Sequence, residues 1–293
     1  MSLFFGEAQI RERLDYKNLI PALRDAFIDY SAGRIQQPLR PVLPIPGQEA
    51  WFSVMPAVMG DVMGAKLVNV FPQNARIGLP THLALIALFS AKTGELLAIL
   101  DGRLITEMRT AAASAIATDL LAAPGAKVLA ILGSGVQARS HWEALQTVRR
   151  FAEVRVWSRN PAHAAKFAQE IGGMPMAAEA AVRGADVVVT VTNSAEPVLR
   201  GEWLKEGAHV NAVGAVGPTR RELDAAAVLG AYIVVESRES AAAEAGDLLL
   251  AGAAVDAELG ELLAGRAVEK RAWSVYKSLG IAVEDLAAAR LVV

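Results

Sequence analysis

The chain has 293 residues, 53% of them hydrophobic and 20% charged, which excludes disorder; at roughly 100–200 residues per domain, two domains are expected. A formal net charge of −2, with no dense run of Lys and Arg, excludes a phosphate-neutralising surface, so no nucleic-acid partner is expected. Cysteine is absent, which excludes disulfides and thiolate chemistry, and His82, His141, His163 and His209 have no HExxH or HxH spacing, so no metal site is expected.

A helix is predicted near 15–32, followed by a Pro-rich passage (Pro38, Pro41, Pro44, Pro46) and strand-like runs at 51–55, 64–70, 82–89 and 96–100. A helix followed by a run of strands suggests an α+β unit. The Ala-rich segment 107–122 reads as a helix that ends at Ala-Ala-Pro-Gly. Beyond it, β-branched runs alternate with helical stretches: Val128–Leu132, 136–149, Val154–Trp157, 161–171, Val187–Thr192, His209–Val213 and Tyr232–Glu236. That alternation predicts a doubly wound α/β domain with a parallel sheet, and the unbroken apolar run at 187–192 predicts a central strand buried on both faces. A last helix is expected through Glu284–Arg290. The expected domains are 1–115, joined by 279–293, and 116–278. No run approaches the roughly 18 apolar residues of a membrane span, and the start has no signal-like pattern; no membrane partner and a cytoplasmic location are expected.

Gly133-Ser134-Gly135-Val136-Gln137-Ala138 follows one predicted strand and opens a helix, which is the setting a dinucleotide fingerprint requires. Gly133 permits the tight turn, Gly135 lets backbone approach a pyrophosphate, and unpaired helix N–H groups favour the anion. An acidic residue at the end of the second strand would accept from a ribose 2′-hydroxyl; the chain instead reads Trp157-Ser158-Arg159-Asn160. Arg159 and Ser158 can serve a 2′-phosphate, so NADP(H) is the expected cofactor.

The notable cations of the first part are Arg40, Lys66 and Arg109. Arginine suits a carboxylate, and a lysine in an apolar stretch such as Met-Gly-Ala-Lys66-Leu-Val needs a partner. Arg109 reads as lying near a helix start, an anion-friendly place. His82 is a second candidate proton donor beside Lys66, although a histidine in an apolar run is more often structural. The pattern alone indicates a nicotinamide-dependent oxidoreductase of a small anionic substrate.

The same residues carry a resemblance to the ornithine cyclodeaminase and mu-crystallin family over nearly the whole chain. The segments are Pro38-Leu-Arg40, Met55-Pro56, Lys66-Leu-Val-Asn69-Val-Phe-Pro72-Gln-Asn74, Gly78-Leu-Pro-Thr81-His82, Arg109-Thr110-Ala-Ala, the glycine turn, Asn211-Ala-Val-Gly214, Arg221-Glu222-Leu-Asp224, Glu244-Ala-Gly-Asp247, Glu258-Leu-Gly-Glu261 and Ser278-Leu-Gly280. The resemblance implies a homodimer whose N-terminal domain dimerises and binds substrate, with the catalytic cleft facing the nicotinamide. It implies carboxylate-binding and catalytic roles for Arg40, Lys66 and Arg109, and a substrate contact for Thr81. It further implies cofactor contacts at Thr110, Gly133–Gln137, Ser158–Asn160, Thr190, Val191, Thr192, Val213, Gly214 and Gly280.

Two departures bear on the activity. Where the cyclodeaminases carry an aspartate after the fourth strand of the dinucleotide domain, this chain reads Val213-Gly214-Ala215-Val216-Gly217-Pro218, and Phe52-Ser53-Val54 stands where they carry a glutamate ahead of Met55-Pro56. The Pro80-Thr81-His82 run, the Trp157-Ser158-Arg159 strand end and the Val213-Gly214-Ala215 turn resemble the ketimine reductase branch, which uses NADPH. The resemblance therefore implies reduction of a cyclic or N-substituted 2-imino acid, such as pyrroline-2-carboxylate or piperideine-2-carboxylate. Two alternatives stay open: an amino-acid dehydrogenase or cyclodeaminase, and a non-catalytic, crystallin-like NADPH-binding protein.

Overall fold

The computed structural model describes residues 3–293; Met1 and Ser2, which open the first expected domain, lie outside the described residues. The chain divides into two units, one of the residues up to Arg109 with Gly280–Val293, the other Thr110–Leu279.

In the first unit, strands β1 (Phe4–Phe5), β2 (Val42–Pro44), β3 (Trp51–Met59), β4 (Val62–Val70), β5 (His82–Ser90) and β6 (Leu96–Asp101) form a sheet in the order β1-β6-β5-β4-β3-β2. All pairs are antiparallel except β1 with β6. The two-residue period of a strand sends Ser53, Met55 and Ala57 of β3, Lys66 and Val68 of β4, and Ile86 and Leu88 of β5 to one buried face. Helix α1 (Tyr16–Ser31) is capped by Asp15, whose side chain accepts from Asn18 N at 2.9 Å.

The C-terminal helix, Ala282–Val292, packs on β3, β4, β5 and α1. Nearly every residue of it is buried, which is why it lacks an amphipathic stripe and why its sequence does not reveal the surface it covers. Gly64 makes this packing possible, since a Cβ there would stand 2.2 Å from Ala87 O and 3.0 Å from Leu286 Cδ2.

Helix α2 runs from Gly102 to Leu121, and the division between the units falls inside it. It starts five residues ahead of the Ala-rich segment because Asp101 Oδ1 accepts from Arg103 N at 2.8 Å, capping the first turn. Arg109 therefore lies two turns into the helix, away from its N-terminus, and the expected anion-friendly placement is corrected.

In the second unit eight parallel strands, β7 (Val128–Leu132), β8 (Glu153–Trp157), β9 (Met174–Pro175), β10 (Val187–Thr190), β11 (His209–Ala212), β12 (Ala231–Val235), β13 (Ala257–Glu258) and β14 (Trp273–Lys277), form one sheet. Their order is β13-β12-β14-β11-β10-β7-β8-β9. Helices α3 (Val136–Leu145) and α4 (Pro161–Ile171) follow β7 and β8. The order reverses between β7 and β10, the switch point at which such sheets bind ligands. β10 is central and wholly buried, as its apolar run predicts, but it ends at Thr190 because Thr192 N turns to Glu222. Residues 146–149, expected to extend α3, form a tighter turn in which Arg149 pairs with Asp119 at 2.8 Å. The sequence reading did not include β14, which lies between β11 and β12.

Candidate active site

Lys66 sits in a row of paired residues, Met55, Lys66, Ile86 and Leu100, so the pleat drives its ammonium among apolar side chains. A buried ammonium needs a counter-charge, and the C-terminal helix provides one. Asp285 Oδ2 lies 2.7 Å from Lys66 Nζ, with both side chains buried. The other oxygen of Asp285 accepts from Arg109 Nε at 3.2 Å, and Arg109 Nη1 donates to Glu284 Oε2 at 3.0 Å. Glu284 also accepts from Ile281 N at 2.7 Å, which closes the first turn of the same helix. Arg40, half-buried ahead of β2, directs Nη1 to Met55 Sδ at 3.8 Å and Gly280 O at 3.4 Å.

Gly280, expected among the cofactor contacts, stands within this cluster. Its φ is +75°, and a Cβ would lie 2.3 Å from Arg109 Nη1. Only glycine allows the guanidinium this close to the backbone.

Burial lowers the pKa of Lys66 to about 8; Asp285 opposes the shift, and Arg109 and Arg40 add to it. Burial also lowers His82 to about 4, helped by Lys66 and Arg109. The shift favours the neutral imidazole at His82, the residue expected as a second proton donor. Thr81, partly exposed, precedes it, and its backbone carbonyl accepts from Phe71 N at 2.9 Å. Glu284 and Asp285 are site residues that the helical pattern does not single out; the signal for them is two adjacent acids in an otherwise Val-, Leu- and Ala-rich run.

In the second unit the glycine turn follows β7. Gly133 has φ +137° and a Cβ on it would meet Val191 O at 2.7 Å, whereas Gly135 faces open space. No side chain caps α3, Val136 is exposed, and Gln137 Oε1 is buried without a hydrogen-bond partner among the described residues. An uncapped helix start, whose first N–H groups lack side-chain acceptors, and an open glycine together fit a pyrophosphate cradle. Ser134 Oγ bonds Ser158 Oγ at 2.9 Å, tying the turn to the end of β8, where Arg159 is exposed. Asn160 also caps α4: its Oδ1 accepts from Ala162 N at 3.0 Å. Thr110 is buried on α2, Thr190 and Val213 are buried, and Val191, Thr192 and Gly214 are half-buried at the ends of β10 and β11.

The parallel sheet, its switch point and its glycine turn define a two-unit α/β protein of the doubly wound, Rossmann class. The chain belongs to the ornithine cyclodeaminase/mu-crystallin family, whose model matches residues 2–293. It is 44% identical to the ketimine reductase mu-crystallin of Mus musculus, over 99% of this chain and 96% of that protein. Among solved structures it resembles Thermococcus litoralis Delta(1)-pyrroline-2-carboxylate reductase in complex with NADH and L-proline, with TM-score 0.93 and 34% identity over 99% of this chain and 96% of that one. An archaeal alanine dehydrogenase dimer with bound NAD is equally similar, at TM-score 0.93 and 34% identity over 99% and 94%.

Proposed function

We propose that the protein is an NADPH-dependent reductase of cyclic or N-substituted 2-imino acids, ketimines such as pyrroline-2-carboxylate and piperideine-2-carboxylate, that works as a homodimer. The observation that carries the reading is the Lys66 cluster. Its five groups, Arg40, Lys66 and Arg109 against Glu284 and Asp285, carry a formal charge of one positive, which suits one substrate carboxylate.

Arg40 and Arg109 bind the carboxylate, and Glu284 and Asp285 hold the Arg109 guanidinium in a fixed orientation. Lys66 keeps a proton at Nζ at neutral pH and polarises the imine nitrogen or supplies the proton the new amine needs. When bound, a reduced nicotinamide would supply the hydride that the imine carbon needs. Gly133–Gln137 receive the pyrophosphate at the start of α3, and Ser158 and Arg159 favour a 2′-phosphate over a bare ribose hydroxyl. The likeness to the mouse ketimine reductase and to the proline-bound Thermococcus enzyme supports the substrate class. A second reading, oxidation of an amino acid, draws on the likeness to the alanine dehydrogenase and on Lys66, which becomes a free base above about pH 8.

The sheet of the first unit supports the dimer. Its second face presents Leu43, Phe52, Val58, Leu67, Leu83 and Leu85, of which Leu43, Val58 and Leu83 are exposed. Exposed apolar side chains gathered on one sheet face are a feature of association surfaces.

Replacement of Lys66 by Ala tests the proposal: imine turnover should fall at least about 100-fold while nucleotide affinity stays unchanged. Undiminished turnover would remove Lys66, and with it the mechanism.

A further inference from the structure

Glu222 belongs to the Arg221-Glu222-Leu-Asp224 segment, which the mechanism does not use, and it is completely buried. Its two carboxylate oxygens accept four hydrogen bonds. Oε1 takes Thr192 N at 2.6 Å and Thr192 Oγ1 at 2.7 Å; Oε2 takes Thr190 Oγ1 at 2.8 Å and Gly214 N at 2.7 Å. One side chain thus joins the ends of β10 and β11. Gly214 is required for this joint, since a Cβ there would stand 2.2 Å from Thr192 O and 2.7 Å from Glu222 Oε1.

A second buried layer holds the clamp from behind. Asp247 Oδ1 accepts from Glu222 N at 2.7 Å and Leu223 N at 2.9 Å, Lys277 Nζ lies 3.0 Å from Asp247 Oδ2, and Lys277 also donates to Ala215 O at 2.5 Å. Lys277 reaches this place from β14, the strand inserted beside β11. Burial pushes the Glu222 carboxyl up, and Lys277 and the threonine donors act against that shift.

In a doubly wound sheet the dinucleotide lies across the switch point, one mononucleotide on each half. β7, β8 and the glycine turn belong to one half of the sheet, while β10 and β11 belong to the other. We infer that Glu222 is a positioning residue for the nicotinamide half of the cofactor: it fixes Thr190–Thr192 and Gly214 in the shape that receives the nicotinamide ribosyl group and leaves the adenine half alone. The inference rests on the dinucleotide reading, and its test needs no imine turnover.

The test is a fluorescence titration of the full chain with NADPH and NADH, set against calorimetry with ADP-ribose and its 2′-phosphate, for wild type and Glu222→Gln. An amide cannot accept four bonds, so the variant loses the clamp at nearly constant volume. The expected result is a Kd for the better reduced dinucleotide raised tenfold or more, with the ADP-ribose Kd within twofold of wild type. Should Glu222→Gln fold poorly, Thr190→Val removes one of the four bonds, and the expected loss is about threefold for the dinucleotide alone. Equal weakening of both ligands, or of neither, overturns the inference. A wild-type chain that binds neither NADPH nor NADH overturns the dinucleotide reading itself, and the clamp's role with it.

Discussion

Lys66 shows how a single side chain carries both the fold and the chemistry. Its partner Asp285 raises its proton affinity while burial, Arg109 and Arg40 lower it, and the balance near 8 puts the titration within reach of assay. In the proposed imine reduction protonated Lys66 is the working form, so its contribution to kcat/KM should be present below pH 8 and lost as pH rises through 8. Asp285→Asn removes the opposing charge; a pH profile of kcat/KM should show the alkaline limb moving below 8, and denaturant unfolding should show a loss of about 3 kcal/mol from an unbalanced buried cluster. A limb that stays in place would mean that another group sets it. Lys66 and Arg109 were legible in the sequence because a cation in an apolar run demands an explanation, whereas the acids that answer them lie more than 170 residues further along the chain. Asn160 has a local role that was legible too: Asn followed by Pro161 is a helix-start signal, and its side chain caps α4.

At the scale of elements, the strands and helices of the alternating stretch were legible from period and breakers, with α4 expected at 161–171 and found at Pro161–Ile171. β14 escaped because Ser274 and Lys277 interrupt its apolar pattern, although both are buried; their polar groups pair with His209 and Asp247 rather than water. The C-terminal helix was expected as an element, but its pairing with β3–β5 is a long-range fact that no local pattern contains. Gly280 starts that helix's approach to Arg109. Gly280→Ala forces a side chain into a left-handed backbone position and against the guanidinium, so unfolding should show a loss of at least about 1 kcal/mol. KM for the imino acid should rise together with that loss. An unchanged KM would show that Arg109 tolerates displacement and is not the carboxylate anchor.

For the whole molecule, composition and alternation revealed the α/β class and the expectation of two domains, and the exposed apolar sheet face adds the argument for assembly. A Leu83→Glu chain, with a charge at an exposed position of that face, should sediment as a monomer at concentrations where the wild type sediments as a dimer. A wild type that is monomeric throughout would remove the homodimer from the proposal. The proposed ketimine reduction needs both a carboxylate-binding cation cluster and a dinucleotide cradle. Its most direct test follows NADPH and NADH oxidation by the purified protein with pyrroline-2-carboxylate and piperideine-2-carboxylate, with ornithine and NAD+ as the counter-test. Rapid oxidation of NADPH with the cyclic imines, slower oxidation of NADH, and no ammonia from ornithine are the expected results. Ammonia and proline from ornithine, or silence with every imine, would contradict the proposal.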